Sequence, residues 1–181
     1  YFEIGIVSDA VDFGSLNTAA AGGKSWGSDG SRGVGMGGGP SVIDEIDYLS
    51  IKSLGNSLDF GELTQARYGI NDQGASDGSR ALMIAGELST PTRYTTIDSI
   101  NIQTIGDATD FGETTVVIAY GASLSDGSRA VIGAKANPDY KHIEYITIGS
   151  LSNGVDWGGE LTADTGYGNS AISSKNRGLF A

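Results

Sequence analysis

The sequence predicts an all-β fold built from one strand unit repeated four times, and three observations predict it. The first is glycine, at 29 of 181 positions, about twice the usual share of roughly 7%. Each interior glycine costs about 1 kcal/mol against alanine in a helix, so an ordinary helical bundle is excluded. The second is a recurring triplet: Asp12-Phe13-Gly14, Asp59-Phe60-Gly61, Asp110-Phe111-Gly112 and Asp156-Trp157-Gly158. The third is a period of two ahead of each triplet. Tyr1-Phe2-Glu3-Ile4, Tyr48-Leu49-Ser50-Ile51, Ser99-Ile100-Asn101-Ile102 and Tyr145-Ile146-Thr147-Ile148 are all apolar at their second and fourth positions. That alternation predicts a half-buried strand.

The rest of each unit follows in order. After the triplet and a polar loop comes an arginine, at Arg32, Arg80, Arg129 and Arg177. Three of these end the same pentapeptide, Ser-Asp-Gly-Ser-Arg, at 28–32, 76–80 and 125–129, and Ser173-Ser174-Lys175-Asn176-Arg177 is its degenerate fourth copy. Asp-Gly between two polar residues predicts a type I′ hairpin. An apolar or glycine-rich run then predicts an inner strand: Gly33-Val34-Gly35-Met36, Ala81-Leu82-Met83-Ile84-Ala85-Gly86, Ala130-Val131-Ile132-Gly133 and Gly178-Leu179-Phe180. Short strands in units of about 48 residues, repeated radially, form the pattern of a β-propeller blade. The units start near residues 1, 48, 99 and 145 of a single repeat domain, 1–181. The expected ring has four blades, one of them shared by N- and C-terminal strands. A slice of a longer array is the alternative.

The stretch from Leu63-Thr64-Gln65-Ala66-Arg67-Tyr68-Gly69, through Asp77–Gly86, to Ile97–Ile100 and Asp110-Phe111 resembles a kelch repeat. The resemblance implies a propeller in which Phe13, Phe60, Phe111 and Trp157 pack between blades. The Asp-Phe-Gly and Gly-Ser-Arg vocabulary is also similar to arrays in virion and tail-fibre proteins of marine tailed phages. That likeness implies a virion or extracellular setting and no particular chemistry.

Composition narrows the function. With no cysteine, a disulfide scaffold and a cysteine-ligated metal centre are excluded. A net charge of −11 repels phosphate backbones and disfavours nucleic-acid binding. No apolar run reaches the roughly 20 residues of a membrane helix, so membrane insertion is not expected. The chain opens on Tyr1 without a methionine, which reads as a processed product or part of a longer protein.

Each candidate site has a functional and a plainer reading. The repeated arginines could line a channel for an anion, or each could join one blade to the next through an aspartate or a backbone carbonyl. The second reading fits a residue present in every unit. Asp12, Asp59, Asp110 and Asp156 invite calcium, but no Asp-x-Asp-x-Asp-Gly loop occurs, so turn chemistry is expected and no metal. Gly33–Gly39 reads as a blade linker. His142 has no second histidine or serine elbow to support it and reads as a surface residue. Tyr48 and Tyr145, with Tyr68, Tyr120 and Tyr167 in a second phase, are the candidate binding residues, because exposed tyrosines stack on sugars or fill protein contacts. The expected function is a non-enzymatic adhesion or structural protein without cofactor, in a homo-oligomeric virion assembly. It would contact other virion proteins, or a host surface glycan or protein. A ligand-free assembly protein and a propeller glycosidase or lyase are the alternatives.

Overall fold

A computed structural model describes residues 1–2, 5–7, 9–18, 23–39, 41–68, 74–89, 92–118, 120–134, 141–163 and 170–181. Every regular element among them is a strand. Sheet I contains β1 (Ser25–Ser28), β2 (Arg32–Gly38), β3 (Ile43–Ser50) and β4 (Leu58–Glu62). Sheet II contains β5 (Gly74–Ser76), β6 (Arg80–Ser89), β7 (Thr92–Asn101) and β8 (Thr109–Glu113). Sheet III contains β9 (Ala122–Ser125), β10 (Arg129–Ala134), β11 (His142–Thr147) and β12 (Val155–Glu160). Each is an antiparallel meander in which every strand pairs with the next in sequence. A two-stranded hairpin follows, β13 (Ala171–Ser174) and β14 (Arg177–Phe180).

The pentapeptide makes the turn between the first two strands of each sheet, and its aspartate organises it. Asp77 Oδ1 accepts from the Ser79 and Arg80 amides at 2.8 and 2.7 Å, and Asp29 and Asp126 repeat the arrangement. Among these turn residues only the glycine has positive φ, at +84°, +88° and +86° for Gly30, Gly78 and Gly127. The expected I′ turn needs two such residues. A glycine at the first central position followed by a serine with negative φ is the II′ pattern, the other turn that matches strand twist.

The sheets stack face to face in chain order, β1 against β5, β5 against β9 and β9 against β13. Each gap holds its own core. Val34, Met36, Ile46 and Phe60 of sheet I meet Ala81, Met83, Ile100 and Ile102 of sheet II. On the far side of sheet II, Leu82, Ile84, Ile97 and Phe111 meet Ala130, Ile132, Ile146 and Ile148. Strand β6 thus sends alternate side chains into two cores, which is why Ala81–Ala85 is apolar without a break.

The two ends differ. Residues 13–17 lie on sheet I through Gly55 N–H to Phe13 O (3.0 Å) and Ser57 N–H to Ser15 O (2.9 Å). Strand β4 holds sheet II in the same way, through Gly106 N–H to Phe60 O and Ala108 N–H to Glu62 O. The segment 13–17 therefore occupies the place of a preceding unit's outermost strand. Among the described residues, no pairing joins it to β14, which pairs with β13.

Candidate functional site

The repeated chemistry collects in the seams between sheets. On the rim carrying the turns, the Arg32 guanidinium crosses to sheet II and donates to Ile102 O at 2.8 Å, while lying 4.6 Å from the Tyr48 ring centre. Arg80 does the same one seam on, donating to Ile148 O at 2.6 Å and covering Phe111 at 5.4 Å. Arg129 stands over Tyr145 and Trp157, and its guanidinium has the Asp126 carboxylate at 3.9 Å in place of a carbonyl from a further sheet. A serine ladder runs beside the arginines: Ser76, Ser125 and Ser173 each donate at 2.9 Å to the carbonyl of the equivalent serine one sheet back, Ser28, Ser76 and Ser125.

The aspartates of the triplets do not meet these arginines. Asp12, Asp110 and Asp156 each accept from the glycine amide two residues on, at 3.1, 3.1 and 2.8 Å. That is local turn chemistry. The triplet glycines admit the next sheet: a Cβ on Gly61 would lie 2.5 Å from Gly106 O, and one on Gly112 2.6 Å from Ser152 O. No side chain fits there.

Deeper in each seam sits a buried acid at one register position, Asp47, Asp98 and Glu144, just before Tyr48, Ser99 and Tyr145. Asp98 pairs with Arg67 at 3.0 Å, both side chains fully buried, and receives the Thr64 amide and hydroxyl from the preceding sheet. Arg67 Nε also donates to Ala85 O at 2.9 Å. Burial lowers the Arg67 pKa against the opposing pull of Asp98. Glu144 takes the Thr115 amide at 2.9 Å and pairs with His142 Nε2 at 3.1 Å. Asp47 pairs with Lys24 at 3.0 Å, and burial outweighs the lysine to hold its carboxyl above the ordinary value. Beside it, Glu45 is held below its ordinary value by hydrogen bonds from Thr18 and Asn17. Thr64 and Arg67 at Asp98, and Thr115 at Glu144, tie the loop after one sheet to the next, whereas the Lys24–Asp47 and His142–Glu144 pairs lie within one sheet. A buried pair of this kind is strongly destabilising to break, because the survivor is left uncompensated.

His142 corrects the sequence expectation. It is only 9% exposed, bonded to Glu144 and Thr115. Period two was the signal for burial, because it puts His142 on the same face of the strand as Ile146 and Ile148, both fully buried.

The candidate tyrosines divide between two places. Tyr48 and Tyr145 are half-buried and stack edge-on against Phe60 and Trp157, with centroids 6.0 and 5.9 Å apart. Tyr68 and Tyr120 lie at the opposite rim, around the Glu87–Arg93 ion pair of 3.1 Å. Tyr68 exchanges backbone hydrogen bonds with Glu87, and Arg93 lies 6.0 Å from the Tyr120 ring centre. Tyr120 holds φ at +63°, rare for a bulky residue. Tyr167 lies outside the described residues. Arg177 is exposed at the end of the β13–β14 turn.

Two adjoining hollows, of about 360 and about 490 Å³, open on the outward face of sheet III. They share Leu124, Val131, Trp157 and Gly178. Trp157 is 48% exposed, whereas Phe60 and Phe111 at the same register are 1% and 4% exposed. No group of three metal-ligating side chains occurs among the described residues. No family model and no curated protein matches the chain.

Proposed function

We propose that this chain is a non-enzymatic scaffold of kelch-like propeller blades in a virion or other extracellular assembly, such as a tail fibre. Sheets I to III are its blades, and the β13–β14 hairpin is the inner half of a fourth. It works by presenting loops on a rigid stack, where weak contacts are multiplied by copy number. The supporting observation is how the repeated side chains are used. Arg32, Arg80, Asp98 and Glu144 are engaged in joining sheets, whereas Tyr68 and Tyr120 converge with Glu87 and Arg93 on one rim. Half-buried tyrosines beside an ion pair suit contact with a sugar face or a partner protein.

The test displays the chain at high valency on a glycan array and against isolated virion proteins. Saturable binding is expected, falling by roughly tenfold or more when Tyr68 and Tyr120 are both changed to alanine. Absence of binding on both would remove the adhesive role and leave a purely structural protein. Cleavage of a bound polysaccharide would overturn the non-enzymatic reading.

A further inference from the structure

The seam between sheets II and III departs from the seam between sheets I and II at three matched positions on the turn rim. In sheet I the Tyr48 ring lies under the Arg32 guanidinium with Leu58 paired to it on β4, and Gln103 crosses from sheet II to donate to Asp29 Oδ2. Sheet III repeats the first two with Tyr145 under Arg129 and Val155 beside it. In sheet II the paired positions hold Ser99 and Thr109. The place of Gln103, one residue after the carbonyl that accepts from the arginine, is taken by Gly149. Where the ring, the leucine and the glutamine would pack, a hollow of about 420 Å³ stands open, lined by Ser99, Thr109, Gly149 and Arg80. We infer that this hollow is a binding site for one neutral pyranose ring, a hexose unit of a glycan. It lies at the rim opposite Tyr68 and Tyr120 and does not rest on their adhesive role.

Shape and chemistry point to the same occupant. The space matched to the tyrosine is that of a six-membered ring. It is bounded by Arg80, whose guanidinium lies 5.4 Å from the Phe111 ring centre and donates to Ile148 O at 2.6 Å. Its walls carry hydroxyls in place of hydrocarbon, with Ser99 Oγ 3.3 Å from Thr109 Oγ1. Asp77 and Asp107 add carboxylates to the lining. An aromatic ring would cover these polar groups without pairing them, which costs free energy. A sugar has hydroxyls around its edge, and each both donates and accepts. Two carboxylates against one guanidinium disfavour an acidic sugar.

Asp107 separates binding from packing. Its structural task is to accept an amide of the preceding sheet, Glu62 N–H to Asp107 Oδ1 at 3.1 Å. In the other two units asparagine performs that task, Asn56 for Ser15 at 3.0 Å and Asn153 for Glu113 at 3.1 Å. The bond therefore needs no carboxylate, yet a carboxylate stands there in the one unit whose tyrosine is replaced by serine. Asp77 Oδ1 is likewise taken up by the amides of its own turn. Among the described residues no donor reaches the second oxygen of either acid, so both keep an acceptor for a sugar hydroxyl.

The experiment titrates the 181-residue chain with the methyl glycosides of glucose, galactose and mannose, and with p-cresol as the aromatic rival, and follows amide NMR shifts. Saturable shifts at Ser99, Gly106 and Gly149 are expected with at least one glycoside, at a Kd of about 1 mM for so small a ligand. Three variants copy side chains that the other units already accommodate. Ser99→Tyr and Gly149→Gln refill the space, and a Cβ added at Gly149 meets nothing within 4 Å. Asp107→Asn keeps the bond to the Glu62 amide and removes the carboxylate. Each should weaken the glycoside by roughly tenfold or more, with a circular dichroism spectrum matching the wild type. If Ser99→Tyr does not fold, Gly149→Gln and Asp107→Asn carry the test. No glycoside shift at these residues up to about a hundred times the expected Kd overturns the inference, as does binding of p-cresol alone. Glycoside binding that survives Gly149→Gln and Asp107→Asn unchanged also overturns it. The variant with Tyr68 and Tyr120 both changed to alanine should keep these shifts, so failure at either rim leaves the other reading standing.

Discussion

The seam between sheets I and II and the outward face of sheet III are built from the same side chains in the same register. In the seam, Phe60 is enclosed by sheet II, Arg32 reaches a carbonyl, and Gly61 lies against the Gly106 backbone. On the outward face, Trp157 is open, Arg129 leans on its own turn, and a Cβ added at Gly158 would meet nothing within 4 Å. Each unit therefore supplies half of a core, and its neighbour supplies the rest. Stability in such a stack is a sum over nearest-neighbour interfaces, so a residue's worth depends on whether the next sheet is present.

The largest expected effect separates the aromatics. Phe60→Ala should cost about 3–5 kcal/mol, the usual range for emptying a packed aromatic site. Trp157→Ala should cost under about 1 kcal/mol at concentrations where the chain is monomeric, because an exposed side chain leaves no cavity. Urea denaturation of both variants checks this. Equal losses would mean that Trp157 is enclosed in solution and that the two regions are not different.

Much of this architecture is legible in the sequence, for a physical reason. A strand buried on both faces must be apolar without interruption, as Ala81–Ala85 is, and a turn that needs positive φ shows its glycine, as Gly30, Gly78 and Gly127 do. The role of Arg32 and Arg80 was also accessible, since a residue present in every unit serves the unit. The buried acids were not found. Asp47, Asp98 and Glu144 share one register position, but their partners Lys24, Arg67 and His142 come from unrelated phases. Periodicity reveals what repeats, and these partners do not repeat. The available clue was that each acid stands two residues before Leu49, Ile100 or Ile146 and so shares the face those residues turn to the core, where a charge needs a buried partner. Whether the stack closes on itself is equally hidden, since it depends on small rotations between sheets that no residue type encodes.

A smaller effect should appear at the arginines. Arg80→Ala removes a charge-assisted hydrogen bond to Ile148 O and cover from Phe111, at a cost of about 1–3 kcal/mol. Arg129→Ala should change monomer stability by about 1 kcal/mol or less, because its ion pair with Asp126 is long and exposed and what it loses besides is its half-exposed cover over Tyr145 and Trp157. Thermal melts of the two variants side by side measure the difference. A large loss for Arg129→Ala would place a carbonyl partner over it and erase the contrast between the seam and the open face.

The smallest effect is the one that should ignore this contrast. Asp29 turns at the seam between sheets I and II, and Asp126 turns at the open face. Both are held below the ordinary value of 3.8, first by the amides of Arg32 and Arg129 and next by those of Ser31 and Ser128. A lowered folded pKa means that the unfolded chain takes up protons first. Their contribution is therefore present above 3.8 and is lost as pH falls through the lower folded values. Asp47 has the opposite sign: burial raises its pKa, so its contribution is present below 3.8 and is lost as pH rises through the folded value. Denaturation midpoints followed downward from about pH 5 should fall in the wild type, less steeply in Asp29→Asn and in Asp126→Asn, and to the same extent in both variants. Equal slopes would mean that the turn amides alone set both carboxylates, whereas a steeper dependence on Asp29 would mean that the Gln103 side chain, which crosses from sheet II to donate to Asp29 Oδ2, adds to them.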